Sequence, residues 1–494
     1  MSLQGKEIHV ADAKHIWYDY TGHTKDQRLS SCIFYCERQG TAMESRITKK
    51  VDTLTRRQFL RSSAVAGAAL LGPTIVPASV FGANAPSERI NVGCIGVGRM
   101  GLGDLREALG FKQTQVVAVC DVDSKRVKHA QKLVEEKYST QSRNRTARGA
   151  TYKGCATYKD FRELVARDDI DAVMIATPDQ WHALPAIAAA KAGKDIFLQK
   201  PLTLTIQEGR VLSDTVRRYN RVFQVGSQQR SDARFRQACE LVRNGRIGKL
   251  HTVKVGFGTD PATGQEPTMP VPEWLDYEMW LGPAPWAAYT EKRVHPQNDY
   301  GRPGWLRILD YGSGMITGWG SHHNDIAQWG MGTEFSGPAE IEAQAEYPKD
   351  GLWDVHGAFR IEYTYANGVK VICADNGKNK QGVVFEGTEG WVYVKRGQID
   401  ADPKSLLTST IGPNEFHLYK SNNHKGNFLE CIRSRAETAA PVEVGHRSCT
   451  VCLLGEIAMR LGRKLKWDPE RERFTNDTEA NRMVSRPMRS PWHL

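Results

Sequence analysis

Three glycines spaced G-x-G-x-x-G, Gly96, Gly98 and Gly101, follow directly on the apolar run 90–95, and a second apolar run at 116–120 ends at Asp121. Each position has a physical task. Gly96 permits a tight strand-to-helix turn, Gly98 lets backbone N–H groups approach a pyrophosphate, and Gly101 lets helix and strand pack closely. A helix opening at Arg99 and Met100 then points its free N–H groups at phosphate charge. Asp121 is set to accept hydrogen bonds from a ribose 2′-hydroxyl. The chemistry predicted is dinucleotide binding, with NAD as the cofactor. Asp121 disfavours the 2′-phosphate of NADP, but Arg126 partly offsets that repulsion, so NADP stays open.

Those residues need alternating strands and helices to hold them, and residues 88–226 carry that rhythm. Strands are expected at 90–95, 116–120, 172–176, 195–198 and 222–225. Helices are expected from 99 and over 124–138, 160–166, 184–192 and 206–219, with Gly193 closing the fourth. The polar stretch 139–153 reads as a loop. Short apolar strands alternating with helices predict an α/β Rossmann domain, a doubly wound parallel sheet. Over 227–465 the strands lengthen and alternate, at 250–256, 340–347, 357–365, 369–375 and 383–394, with a turn at Ala366-Asn367-Gly368. This pattern predicts a C-terminal α+β domain with a large, mostly antiparallel sheet. An aromatic-rich excursion, 274–305, includes Trp280, Trp286, Tyr289 and Tyr300, which either stack on sugar rings or pack the loop itself. Residues 466–494 are polar and expected to form an arm across a neighbouring subunit.

The chain has 494 residues, 40% hydrophobic and 25% charged, an ordinary globular composition with ample core. Its net charge of +11 lies partly in residues 1–85, and no basic run is interleaved with aromatics, so no nucleic-acid surface is expected. Of ten cysteines, Cys94 and Cys120 sit in apolar strands as small buried thiols, and Cys449-x-x-Cys452 lacks a second pair; no metal site is expected. Thr55-Arg56-Arg57-Gln58-Phe59-Leu60-Arg61, the apolar run 64–76 and Ala83-Asn84-Ala85 resemble a twin-arginine export signal. The signal is expected over 43–85, with Met43 as the start, residues 1–42 as an upstream extension, and cleavage near Ala83 or Ala85. Gly67, Gly72, Pro73 and Pro77 argue against a stable helix there, and the run is too short and interrupted for a stable membrane anchor. A periplasmic or otherwise exported protein follows.

Four segments resemble the glucose–fructose oxidoreductase / inositol dehydrogenase (Gfo/Idh/MocA) family. The first is the glycine motif with Asp121. The second, Ala176-Thr177-Pro178-Asp179-Gln180-Trp181-His182, is similar to the family's A-T-P-x-x-x-H. The third, Gln199-Lys200-Pro201, stands where the family has Glu-Lys-Pro. The fourth, from Gly312 to Asp325, resembles G-G-G-x-x-x-D-x-G-x-H-x-x-D. The resemblance implies an NAD(P)-dependent dehydrogenase acting on a small carbohydrate, assembled as a homodimer or homotetramer. It places Thr177, Pro178, His182 and Gln199 at the cofactor and Lys200 at both nicotinamide ribose and substrate hydroxyl. It makes His322 the acid/base, with His323 as its adjacent rival, and has Asp325 orient the site; His323 and Asp325 are carried as substrate contacts. A histidine titrates near neutral pH, and a lysine stabilises developing alkoxide charge, so the chemistry agrees.

Two departures stand out: Gln199 lacks the family's charge, and Gly318 replaces an aspartate that many members carry. Lys200 and His322 are left as the catalytic pair. The leading expectation is an exported oxidoreductase moving hydride between nicotinamide and a secondary hydroxyl of a sugar, polyol or glycoside. Because twin-arginine export carries folded proteins, the cofactor is expected to be loaded beforehand and held tightly. The alternative is redox-neutral cleavage of a glycoside by transient oxidation of the sugar. A third possibility, cofactor binding without turnover, requires Lys200 and His322 to be dispensable.

Overall fold

The computed structural model describes residues 89–143, 152 and 154–494. The twin-arginine motif, Met43, the cleavage positions, Cys32 and Cys36 lie outside the described residues. The first domain runs β1 (Ile90–Ile95), α1 (Arg99–Ala108), β2 (Thr114–Cys120), α2 (Ser124–Arg143), β3 (Ala156–Tyr158), α3 (Phe161–Val165), β4 (Ala172–Ile175), α4 (Ala183–Lys191), β5 (Asp195–Leu198), α5 (Ile206–Arg218) and β6 (Phe223–Val225). The strands form one parallel sheet in the order β3-β2-β1-β4-β5-β6. β4 and β5 are buried along their whole length, as continuous apolar runs between two helical layers must be. Local caps set the helix starts: Asp160 accepts from Arg162 N at 2.8 Å, and Thr205 with Glu208 forms a capping box.

The structure corrects two expectations here. α2 continues into the polar stretch read as a loop, because polar residues without glycine or proline do not stop a helix. β3 was not anticipated; its three residues are too few to show a period, and it exists by pairing with Ala118–Cys120.

The second domain continues with α6 (Ala233–Arg243), β7 (Leu250–Phe257), α7 (Tyr277–Leu281), α8 (Met315–Gly318), α9 (Gly320–Met331), β8 (Glu340–Ala345), β9 (Phe359–Thr364), β10 (Lys370–Asp375), β11 (Gly382–Gly387), β12 (Trp391–Lys395), β13 (Gln398–Asp402), α10 (His424–Ser434), α11 (Val442–Leu461), β14 (Leu465–Asp468), β15 (Arg473–Phe474) and α12 (Thr478–Arg482). Its sheet has the order β13-β12-β11-β7-β10-β9-β8-β14-β15, antiparallel except where β7 meets β10. The expected single strand over 383–394 is two, β11 and β12, folded back on each other so that Val383 faces Val394. Alternation places Phe359, Ile361 and Tyr363 of β9 against the helices and Arg360 and Glu362 on the other face.

The C-terminal boundaries also shift. α10 contributes Phe428, Leu429 and Cys431 to the same apolar cluster as Val119 and Phe197, and Val225 N donates to Ala440 O at 3.0 Å. The chain therefore returns to the nucleotide domain within the stretch assigned to the second. Residues 466–494 begin inside β14 and fold onto their own chain: Trp492 meets Trp181 edge-on at 4.7 Å, and Arg489 Nε donates to Gly282 O at 3.0 Å. Apolar side chains scattered through the polar tail, Met483, Val484, Met488 and Trp492, anchor it there.

Candidate active site

At the end of β1 the chain turns at Gly96, whose φ is +78°; a Cβ there would stand 2.7 Å from the Ala176 carbonyl oxygen. A Cβ on Gly101 would stand 1.8 Å from the Gly96 oxygen. Both positions therefore exclude any side chain. α1 begins behind Gly98 with no side-chain cap and no acid in its first turn, so its N-terminal donors face the cleft unsatisfied. Asp121 sits at the end of β2, where its carboxylate accepts from Val97 N at 2.8 Å and Asp123 N at 3.0 Å. Burial pushes its pKa up, against the pull of those donors and of His295. The Thr177 hydroxyl is buried, has no hydrogen-bond partner among the described residues, and lines the same cleft. An open cradle of N–H donors, a pinned carboxylate and an orphaned hydroxyl fit a dinucleotide.

A loop of the second domain roofs this end. Arg126 Nη2 donates to Pro296 O at 2.8 Å and Asp299 O at 3.1 Å, with its guanidinium 4.5 Å from the Tyr300 ring centre. His295 Nε2 lies 3.0 Å from Asp123 Oδ2, and Trp274 Nε1 donates to Gln297 at 2.8 Å. Arg126 is thus committed to the loop, which bears on its expected offset toward NADP.

The other end of the cleft is built on β5, β4 and α9. Gln199, just past β5, donates through Nε2 to Asp104 at 3.0 and 3.2 Å, and Lys425 Nζ reaches the same carboxylate at 2.9 Å. The missing charge at 199 now has a reason: a glutamate would face a buried carboxylate of α1. Lys200 Nζ donates to Gly318 O at 3.2 Å. Desolvation pushes the lysine's pKa down, Asp179 opposes this, and Arg302, Arg396 and Arg99 reinforce it. His182 spans Pro201 O at 2.6 Å and Thr177 O at 3.0 Å, tying the loop after β4 to that after β5, and burial lowers its pKa to about 4. His322 stands in the first turn of α9 and lines the cleft, with Nδ1 buried and without a hydrogen-bond partner among the described residues. Burial, Lys200 and Arg396 hold its pKa well below the usual histidine range, so the imidazole is neutral.

The cleft brings together Gly96, Gly98, Arg99, Met100, Asp121, Thr177, Pro178, His182, Gln199, Lys200 and His322 of the expected residues, while Gly101 packs behind. Two expected substrate contacts are corrected. His323 is buried and stacked on Trp319 with ring centres 5.4 Å apart, away from the cleft lining. Asp325 is buried in a bidentate pair with Arg230 at 2.8 and 2.9 Å and accepts from Ser448 Oγ at 2.7 Å, so it fixes α9.

Sequence reasoning passed over three residues that line the cleft, Asp179, Arg302 and Arg396. Asp179 lies inside the A-T-P-x-x-x-H segment, and burial raises its pKa to about 8 against the attraction of Lys200. The arginines had no local signal, since they come from distant loops. The aromatic excursion mostly packs on itself: Trp280 and Tyr289 join a buried cluster with Tyr277 and Tyr311, Trp305 packs against it, and Trp280 and Trp305 both also line the cleft. The eight described cysteines are free buried thiols, Cys94 and Cys120 among them.

Residues 90–227 match the family model for an oxidoreductase family, NAD-binding Rossmann fold, and residues 255–494 match that for its C-terminal alpha/beta domain. The uncharacterized oxidoreductase YrbE of Bacillus subtilis is 28% identical over 76% of this chain and 92% of its own length. The alpha-N-acetylgalactosaminidase of Shewanella oneidensis is 30% identical over 40% of this chain; the match spans 44% of that relative. The WlbA dehydrogenase of Bordetella pertussis, solved with NADH and UDP-GlcNAcA, shares the fold with a TM-score of 0.56 at 16% identity, over 77% of this chain and 99% of that one. These matches cover the two domains in order, and the chain belongs to the Gfo/Idh/MocA family of NAD-binding oxidoreductases.

Proposed function

We propose that this oxidoreductase acts on a secondary hydroxyl of a sugar, polyol or glycoside, with NAD preferred to NADP. The observation that carries this is the convergence of Lys200, Asp179 and His322 beside the nucleotide cradle, at the carboxyl edge of the parallel sheet. Bound NAD supplies the redox chemistry. Lys200, positioned by the Gly318 carbonyl, holds the substrate oxygen and stabilises the charge it gains on losing its proton. The neutral imidazole of His322 accepts that proton. The attraction of Asp179 opposes the desolvation of Lys200 and so helps the lysine keep the charge that stabilises this oxygen. Trp305 and Trp319 give the cleft apolar walls suited to a sugar ring.

The 291–303 loop, pinned to Asp123 and Arg126, supports tight retention of the cofactor. The Thr55–Arg61 motif supports export by the twin-arginine route to the periplasm, and the family resemblance supports a homodimer or homotetramer. Redox-neutral glycoside cleavage is the second reading, favoured by the match to an alpha-N-acetylgalactosaminidase.

The test follows nucleotide absorbance near 340 nm and product mass together across sugars and glycosides. A net absorbance change supports the first reading; aglycone release without one supports the second. Lys200→Met is expected to lower turnover by about 10³-fold or more while bound nucleotide is retained. Full activity in that variant would refute both.

A further inference from the structure

We infer that the cleft is built for a sugar bearing an anionic substituent, a uronate carboxylate or a sulfate ester, received by Arg396 and Arg302 beside Lys200; this rests on the carbohydrate reading above. Arg396 stands in the turn between β12 and β13, its guanidinium 4.7 Å from the Trp319 ring centre in the cleft wall. Among the described residues it has no hydrogen-bond or ion-pair partner. Asp232, the carboxylate whose charge it feels, is engaged in capping α6, accepting from Arg234 N at 2.8 Å.

Arg302 Nη2 donates to Asp260 Oδ1 at 2.8 Å, and Arg307 Nε reaches the same oxygen at 3.2 Å. One carboxylate therefore serves two guanidiniums and leaves a positive charge over. The cleft lining holds Arg99, Arg126, Lys159, Lys200, Arg302 and Arg396 against two carboxylates, Asp121 and Asp179. Asp121 is spent on backbone donors at the nucleotide end, and Asp179 answers Lys200. Bound pyrophosphate would answer Arg99. At Gly318, where a carboxylate could stand, a Cβ would meet nothing nearer than Met315 Sδ at 4.0 Å.

A guanidinium left without a counter-charge in a cleft wall is free to take an anionic ligand. Arginine's planar fork suits carboxylate and sulfate oxygens. An anion on Arg396 also relieves a charge that opposes protonation of His322, so the acidic substrate would improve its own proton acceptor.

The test uses the full chain saturated with NAD, and calorimetric affinities for matched pairs: glucuronate with glucose, galacturonate with galactose, and glucose 6-sulfate with glucose. The acidic member should bind at least about tenfold tighter at low ionic strength. Arg396→Gln should bring that ratio close to one, and Arg396→Lys should restore part of it. Arg396 lies in an exposed turn, so the variant is expected to fold; Arg302→Gln is the second variant. Preference for uronates or for the sulfate identifies which anion the site takes. Equal or tighter binding of the neutral sugars overturns the inference and leaves the oxidoreductase reading standing. Binding of neither class overturns both.

Discussion

Replacing Gln199 with glutamate should destabilise the nucleotide domain in a strongly pH-dependent way. The Gln199 amide nitrogen lies 3.0 and 3.2 Å from the two oxygens of Asp104, both residues being buried. Two ionised carboxylates about 3 Å apart repel by about 5 kcal/mol at an effective dielectric near 20. Protonating one of them is cheaper. Starting from an ordinary glutamate pKa of about 4.3, keeping that proton at pH 7 costs about 3–4 kcal/mol, at about 1.4 kcal/mol per pH unit. Lys425, 2.9 Å from Asp104, offsets part, leaving a loss of about 2–3 kcal/mol. The folded pKa of the pair is raised, so the penalty is absent below about pH 4 and grows as pH climbs toward that folded value. Urea denaturation of nucleotide-saturated protein at pH 5 and pH 8 measures it. Asp104→Asn in the Gln199→Glu background should recover most of the loss at pH 8, and a double-mutant cycle isolates the coupling. A Gln199→Glu protein as stable as wild type at pH 8, or a double variant with no recovery, would refute the argument.

Asp179, raised to about 8 by burial, should impose a rising limb on kcat/KM as pH climbs through that value, because its ionised form supports the positive charge on Lys200 that stabilises the substrate oxygen. Asp179→Asn should flatten that limb and lower the rate by about 10²-fold, and an unchanged profile would place the titration elsewhere. Gly318→Asp should fold as wild type, given the open space at that Cβ, and should raise the Lys200 pKa by adding an opposite charge beside it. A melting temperature lowered by several degrees would contradict the open space. Asp121→Ser removes the acceptor for Val97 N and Asp123 N as well as a ribose ligand, so NAD affinity should fall by about tenfold or more, read by nucleotide titration. An unaltered preference between NAD and NADP would overturn the role assigned to its charge.

What the sequence determined by itself was the part written in short-range rules. Gly96, Gly98, Gly101 and Asp121 declare a nucleotide turn because strand, turn and helix chemistry act over a few residues, and the alternation of strands and helices through β1, β2, β4, β5 and β6 follows from the same rules. Lys200 and His322 were identifiable through the segments that hold them. Only the tertiary structure decided which charges meet. Gln199 looked like a lost acid until Asp104 and Lys425, from α1 and α10, proved to be its partners. His323 and Asp325 lie one and three residues after His322 in the chain, yet the helical turn of α9 aims them at Trp319 and Arg230 instead of the cleft. Arg302 and Arg396 carry no local pattern at all, and reach Lys200 because the hairpin between β12 and β13 and the loop before α8 close on one cleft. Electrostatic partnership depends on distance in space and on burial, and neither is encoded in spacing along the chain.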